Sequence, residues 1–157
     1  MNIGVIVEDL GMSQLSYSVI NNINSACEHN SENDYVIFYE NMSNPILPAN
    51  CAIMNSSELW SFEGVVIATT ASSAMFALDA VNKTKKFFYI WDLEWTRGRD
   101  RPDFVKNIRP YRNENITLIA RSEEHVQAIQ NYCNRKVPYI MKDFDINKLQ
   151  EIIKDES

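Results

Sequence analysis

Lys86-Phe87-Phe88-Tyr89-Ile90-Trp91-Asp92-Leu93-Glu94-Trp95-Thr96-Arg97-Gly98-Arg99 decides how this chain is read. From Lys86 to Trp91 the residues are almost wholly apolar, aromatic and β-branched, with no polar alternate, which suits a strand covered on both faces in the middle of a parallel sheet. The run then stops abruptly in acids, an indole and arginines. In open α/β sheets ligands bind beyond the carboxyl ends of the strands. Asp92, Glu94, Trp95, Arg97 and Arg99 therefore stand where a site is expected. The same residues also fit a plain loop in which Trp95 caps the core and the charges are solvated.

On either side of this stretch apolar runs and helical stripes alternate. Asn2 to Val7 reads as a first strand that ends in Glu8-Asp9-Leu10-Gly11, where Gly11 permits a tight turn. Ser13 is a good N-cap for a helix from Gln14 to about His29, with Leu15, Val19, Ile20, Ile23 and Cys27 as its apolar stripe. The amides at that helix start suit an anion; alternatively, Glu8 or Asp9 meets a sugar hydroxyl. Further strands are expected at Asp34 to Tyr39, Cys51 to Met54, Gly64 to Ala68, Asn115 to Ala120 and Val137 to Met141. Helical segments are expected at Ser56 to Phe62, Ala74 to Val81, Asp103 to Ile108 between two prolines, Ser122 to about Asn134, and Asn147 to Lys154. Ser122 is the N-cap of the fourth of these, which brings Arg121, Ser122 and His125 near a strand end. Strict β and α alternation implies a parallel sheet with right-handed crossovers and helices on both faces.

The 157 residues, 45% hydrophobic and 23% charged, suit one globular domain over the whole chain. No apolar run approaches the roughly 20 residues of a membrane helix, and the start Met1-Asn2-Ile3-Gly4 lacks a basic signal-peptide region. A cytoplasmic protein that does not engage a membrane is the expectation. Cys27, Cys51 and Cys133 have no metal-like spacing and read as free thiols. His29, at a helix end, reads as a favourable charge there. No Ser-His-Asp order, metal-ligand motif or glycine loop ending in lysine is present, so hydrolase and nucleoside-triphosphatase chemistry, metals and cofactors are not expected.

A net charge of −6 argues against generic nucleic-acid binding. Between Arg97 and Arg112, however, Arg97, Arg99, Arg101, Lys106, Arg109 and Arg112 face only Asp100 and Asp103, and this basic stretch is the one place where nucleic acid would be held.

The segment Leu118-Ile119-Ala120-Arg121-Ser122-Glu123-Glu124-His125, followed by a helix and then Val137-Pro138-Tyr139-Ile140-Met141-Lys142-Asp143-Phe144-Asp145-Ile146-Asn147-Lys148-Leu149, resembles the end of the N-terminal domain of GT-B-type glycosyltransferases. Ser122 matches the family's helix-opening serine, Asp145 its loop aspartate and Leu149 the apolar position after it. Ile3 to Ser13 resembles the family's first strand and loop, with Gly11 alone where many members have several glycines. Phe88-Tyr89-Ile90-Trp91-Asp92-Leu93-Glu94-Trp95 is similar to small bacteriophage glycosyltransferase-like proteins, which would place the protein in a host cytoplasm. The resemblance implies a Rossmann-like three-layer α/β/α domain with a mainly parallel sheet, equivalent to the acceptor-side half of such an enzyme, and nothing in the chain resembles the family's acidic motif for the nucleotide sugar.

Two functions follow as expectations. In a glycosyl transferase acting with a donor-domain partner or as a homodimer, Asp92 or Glu94 is the general base, His125 an auxiliary acid or base, and Arg97, Arg99 and Arg121 take phosphate charge. In a non-catalytic module, Trp95 stacks on a sugar or nucleotide ring while carboxylates take hydroxyls and arginines phosphates. Under both, Glu8, Asp9, Gly11, Asp92, Glu94, Trp95 and Arg121 line one edge. Asp145 to Ile153, with Ile146, Leu149, Ile152 and Ile153, is the expected contact region with a partner; the alternative is that this stripe packs on the domain's own sheet.

Overall fold

The computed structural model describes residues 1–11, 13–29, 32–80 and 85–156. The runs rich in valine, isoleucine and aromatic residues become strands β1 (Asn2–Asp9), β2 (Asp34–Asn41), β3 (Ala52–Asn55), β4 (Val65–Ala68), β5 (Lys85–Ile90), β6 (Thr117–Ala120) and β7 (Tyr139–Ile140). The helices between them are α1 (Gln14–Glu28), α2 (Ala71–Asp79), α3 (Arg101–Arg112), α4 (Glu123–Cys133) and α5 (Ile146–Asp155), with short 3-10 turns at Ser56–Ser61 and Glu94–Arg97. All the strands pair in parallel in one sheet of order β3-β2-β1-β4-β5-β6-β7. This is a Rossmann-like α/β/α fold, as the β and α alternation predicts.

Alternate residues of each strand serve opposite layers. Ile3, Val5, Val7, Ile37, Ile67, Phe87, Tyr89 and Ile119 pack with Val19, Ile20 and Ile23 of α1 and Leu149, Ile152 and Ile153 of α5. Ala68, Phe88, Ile90, Leu118 and Ala120 pack beneath Ala71 and Ala74 of α2, Ile108 and Tyr111 of α3, and Val126 and Ile129 of α4. Phe87, Phe88, Tyr89 and Ile90 of β5 are at most 1% exposed, and burying each such side chain contributes about 1.5–3 kcal/mol. The strand ends at Ile90, so Trp91 begins the loop instead of closing the strand.

Capping decides where the helices start. Ser13 Oγ accepts from Ser16 N, Asp100 caps α3, Ser122 caps α4, and Asp145 Oδ1 accepts from the amides of Asn147 and Lys148. Thr70 and Ser73 cap α2 reciprocally, so that helix begins at Ala71, three residues before its expected start. Its expected end at Val81 lies outside the described residues. α3 is longer than the two prolines suggested: Pro102 sits in its first turn, where a missing N–H costs nothing, and Pro110 in its last. Gly64 enters β4 with φ 153°, and a Cβ there would lie 2.4 Å from the Asn2 carbonyl oxygen.

The chain returns to the α1 side after β7 through Asp143 and Phe144, both left-handed at φ 50° and 55°. Such backbone costs about 1–3 kcal/mol per residue and needs support. Here Ser18 Oγ donates to the Asp143 carbonyl at 2.7 Å, Asn22 donates to it at 3.2 Å, and the Phe144 N–H donates to the Tyr89 hydroxyl at 3.2 Å. The turn delivers α5 with Ile146, Leu149, Ile152 and Ile153 all buried. The stripe expected to meet a partner is therefore core of this domain, because α1 alone leaves that face of the sheet partly uncovered. The cysteines Cys27, Cys51 and Cys133 are free. Among the described residues no helix is long and apolar enough to cross a membrane.

Candidate functional site

β1 and β4 are neighbours, yet the chain leaves β1 toward β2 and leaves β4 toward β5, on opposite sides. The connecting loops diverge at this point of the sheet, and crevices outside the strand ends at such a switch point are where α/β proteins hold ligands. A cleft of about 400 Å³ opens there. It is lined by Glu8 and Asp9 from β1, Ser13 to Ser16 from the start of α1, the α2 N-cap Thr70, and Trp91, Asp92 and Arg97 beyond β5.

Each lining group is held differently. Asp9 serves its own loop: Ser43 Oγ donates to its Oδ2 at 2.6 Å and the Gly11 N–H to its Oδ1 at 2.7 Å, and these bonds hold its carboxyl below the ordinary value. Glu8 is exposed, and among the described residues its carboxylate enters no hydrogen bond or ion pair. Asp92 accepts from the Leu93 N–H at 2.9 Å and is ion-paired to Arg97. Thr69 Oγ1 donates to the Ile6 carbonyl at 2.7 Å, fixing the exit of β4 against β1. In the first turn of α1 the Ser16 amide is capped by Ser13 Oγ, and Gln14 and Leu15 line the cleft beside it.

Trp91 is the aromatic group of the cleft. Its ring lies edge-on to Tyr89 and carries the Arg121 guanidinium 4.0 Å from its centroid. Arg121 also reaches Asp143 at 3.6 Å, so it bridges the end of β6 and the turn before α5. Period-two alternation along Phe87, Tyr89 and Trp91 is the signal that would have aimed Trp91 toward α1 and the cleft.

Several expected site residues lie elsewhere. Trp95, expected to stack on a ligand, is 6% exposed and packs edge-on against Tyr111 at 4.6 Å; a 3-10 turn after Leu93 rotates it under α3. Glu94 Oε1 accepts from the Ala71 N–H at 2.7 Å, which caps α2 and takes this carboxylate out of the cleft lining. Burial, opposed by that amide and reinforced by Glu8 and Asp92, pushes its carboxyl up to about 7. Gly11 does not line the cleft; a Cβ there would meet Ser43 Cβ at 2.8 Å and Asp9 Oδ1 at 3.0 Å, so its small size lets the following loop close. Arg99 is exposed outside the cleft. Ser122 is spent capping α4, and His125, half-buried in the first turn of that helix with its Nδ1 enclosed and unpartnered, does not reach the cleft lining. Leu15, Ser16 and Trp91 line the cleft without having been expected there, while Ser13 and Gln14 belong to the helix start whose amides suit an anion.

Four carboxylates thus gather near this edge (Glu8, Asp9, Asp92 and Glu94), with Arg97 already committed to Asp92. Among the described residues no group of three or more His, Cys, Asp or Glu side chains is arranged to hold a metal ion. No family model, curated protein or solved structure matches the chain.

Proposed function

We propose that the chain recognises a sugar, nucleotide or nucleotide-sugar in the switch-point cleft, as a glycosyltransferase-like domain equivalent to the acceptor-side half of a two-domain enzyme. The observation that carries this reading is the composition of the cleft at that position: an uncommitted carboxylate on Glu8, the α1 start and Thr70 at the α2 cap, and an indole at Trp91. Carboxylates accept hydrogen bonds from sugar or ribose hydroxyls, and an indole supports the apolar face of a ring. The acidic balance favours the hydroxyl-bearing part of the ligand inside the cleft, with any phosphate toward Arg121 at the rim.

A specific feature favours the non-catalytic form of the reading. Both proposed bases are engaged, Asp92 by Arg97 and the Leu93 amide and Glu94 by the Ala71 amide. A transferase would need Asp92 to part from Arg97 when an acceptor binds. Pairing with a donor-domain chain or a second copy remains part of the proposal, through a surface other than the buried stripe of α5; light scattering of the protein alone and with a candidate donor-domain chain tests it, and a persistent monomer in both would reject it.

Titration calorimetry against uridine, guanosine and thymidine diphosphate sugars and their free monosaccharides tests the binding itself. At least one member should saturate, and Trp91→Ala should weaken it by about 1–3 kcal/mol, taking base–aromatic stacking as the analogue. Glu8→Gln should weaken the same ligand. Failure of every member to saturate, or identical isotherms for wild type and both variants, would overturn the assignment.

A further inference from the structure

α3 carries the greatest concentration of positive charge in an acidic chain. Its inward side is core, with Ile108, Pro110 and Tyr111 buried. Its outward side is neither core nor simply polar: Phe104 is 40% and Val105 55% exposed. Val105 forms a ridge between two hollows, both of which it lines. One, of about 640 Å³, lies between α2 and α3 and is lined by Met75, Pro102 and Val105 with Arg101, Lys106 and Arg109 at its margin. The other, of about 360 Å³, is lined by Phe104, Val105 and Ile108 with Arg109 and Arg112. Among the described residues no carboxylate forms an ion pair with Arg101, Lys106, Arg109 or Arg112; of the two nearby acids Asp100 is occupied in capping the helix, and Asp103 in its first turn offsets one of the four positive charges.

We propose that this double groove docks an acidic amphipathic segment of a partner protein, with apolar side chains seated in the two hollows and carboxylates against Arg101, Lys106 and Arg109. Apolar residues spaced three and four apart on a helix match two hollows either side of a ridge, the usual geometry of a helix held in a groove. The uncommitted cations supply the sign of the partner, since complementary charge sets which partner is accepted. Concave hollows suit inserted side chains better than a flat lipid surface. Nucleic acid would use the cations and leave the apolar floor of the two hollows unfilled. The groove is independent of the switch-point cleft, so this inference stands or falls apart from the ligand assignment.

The test is fluorescence anisotropy with a labelled peptide of leucine and glutamate, the leucines at i, i+3, i+4 and i+7. Its comparators are a leucine–lysine peptide of the same pattern, a single-stranded DNA oligonucleotide and phosphatidylglycerol vesicles. The leucine–glutamate peptide should bind saturably and more weakly as salt rises. Val105→Asp and Arg109→Glu should each weaken it about tenfold, equivalent to about 1.4 kcal/mol. Both positions are exposed, so thermal unfolding should be unchanged, which separates lost docking from lost fold. Absence of saturation, equal binding of the leucine–lysine peptide, indifference to both variants, or stronger binding of the oligonucleotide or the vesicles would overturn the proposal.

Discussion

Trp95→Ala should lower the free energy of unfolding by about 3–5 kcal/mol, the cost of removing a large aromatic side chain from a packed interior. Trp95 fills the space under α3, with its ring 4.6 Å from that of Tyr111. Tyr111 in turn holds the loop that follows β5: its hydroxyl donates to the Asp92 carbonyl at 2.9 Å and accepts from the Glu94 N–H at 3.3 Å. The cavity left by alanine would therefore loosen the segment that positions Asp92 as well as the core. Urea unfolding of the purified variant measures the effect. A loss below about 1 kcal/mol would mean that the indole is not the packing element described, since surface substitutions generally stay within that range.

Glu94→Gln should make the protein more stable above neutral pH and flatten its dependence on pH. Burial raises the Glu94 carboxyl to about 7 in the folded chain, against an ordinary value of 4.5. The folded state consequently binds this proton more tightly than the unfolded state does, and stability falls as pH rises from about 4.5 to about 7. Below that window both states are protonated and the cost is absent; above it the cost is complete, on the order of 3 kcal/mol. Glutamine keeps an oxygen for the Ala71 N–H and carries no charge to desolvate. Chemical denaturation from pH 5 to pH 8 should show a steep fall in the wild type and a shallower one in the variant. The residual slope comes in part from Glu40, which burial and then Glu8 push in the same direction. Equal slopes for the two proteins would show that Glu94 is not the responsible group.

The sheet was legible because its strands are apolar and the helix caps are chemically explicit. Lys86 to Ile90 has no polar face, which admits only a central strand, and Ser13 and Ser122 stand directly before amphipathic stripes. The prolines misled in α3, because Pro102 falls in the first turn, which tolerates a missing donor, while the helix runs on through Pro110 to Arg112 although that residue has no N–H to give. The site was legible as a location and less so as a set of side chains. Glu8 and Asp9 line the cleft because they close β1, and Asp92 and Arg97 because they sit in the loop beyond β5. Trp95 and Trp91 exchanged roles, since linear order along a loop says nothing of the 3-10 turn that buries one indole and leaves the other at the strand end. Glu94 could not be distinguished from Asp92 by type or spacing; only the fold brings the Ala71 amide within 2.7 Å of it. The stripe of α5 shows the same ambiguity, because an apolar helix face is equally suited to a partner and to its own sheet.

The left-handed turn at Asp143 and Phe144 also imposes a timetable on synthesis. Domains fold as their residues emerge from the ribosome, at about 5–20 residues per second. The layer built by α2, α3 and α4 draws on contiguous chain and can close while the C-terminal part is still being made. The opposite layer cannot, because α5 completes it beside α1 and is translated after every strand. A nascent chain must therefore hold Ile67, Phe87 and Tyr89 partly uncovered until residues 146–155 have left the exit tunnel. Chaperone demand should be concentrated in that interval, and it ends when the turn swings the last helix into place.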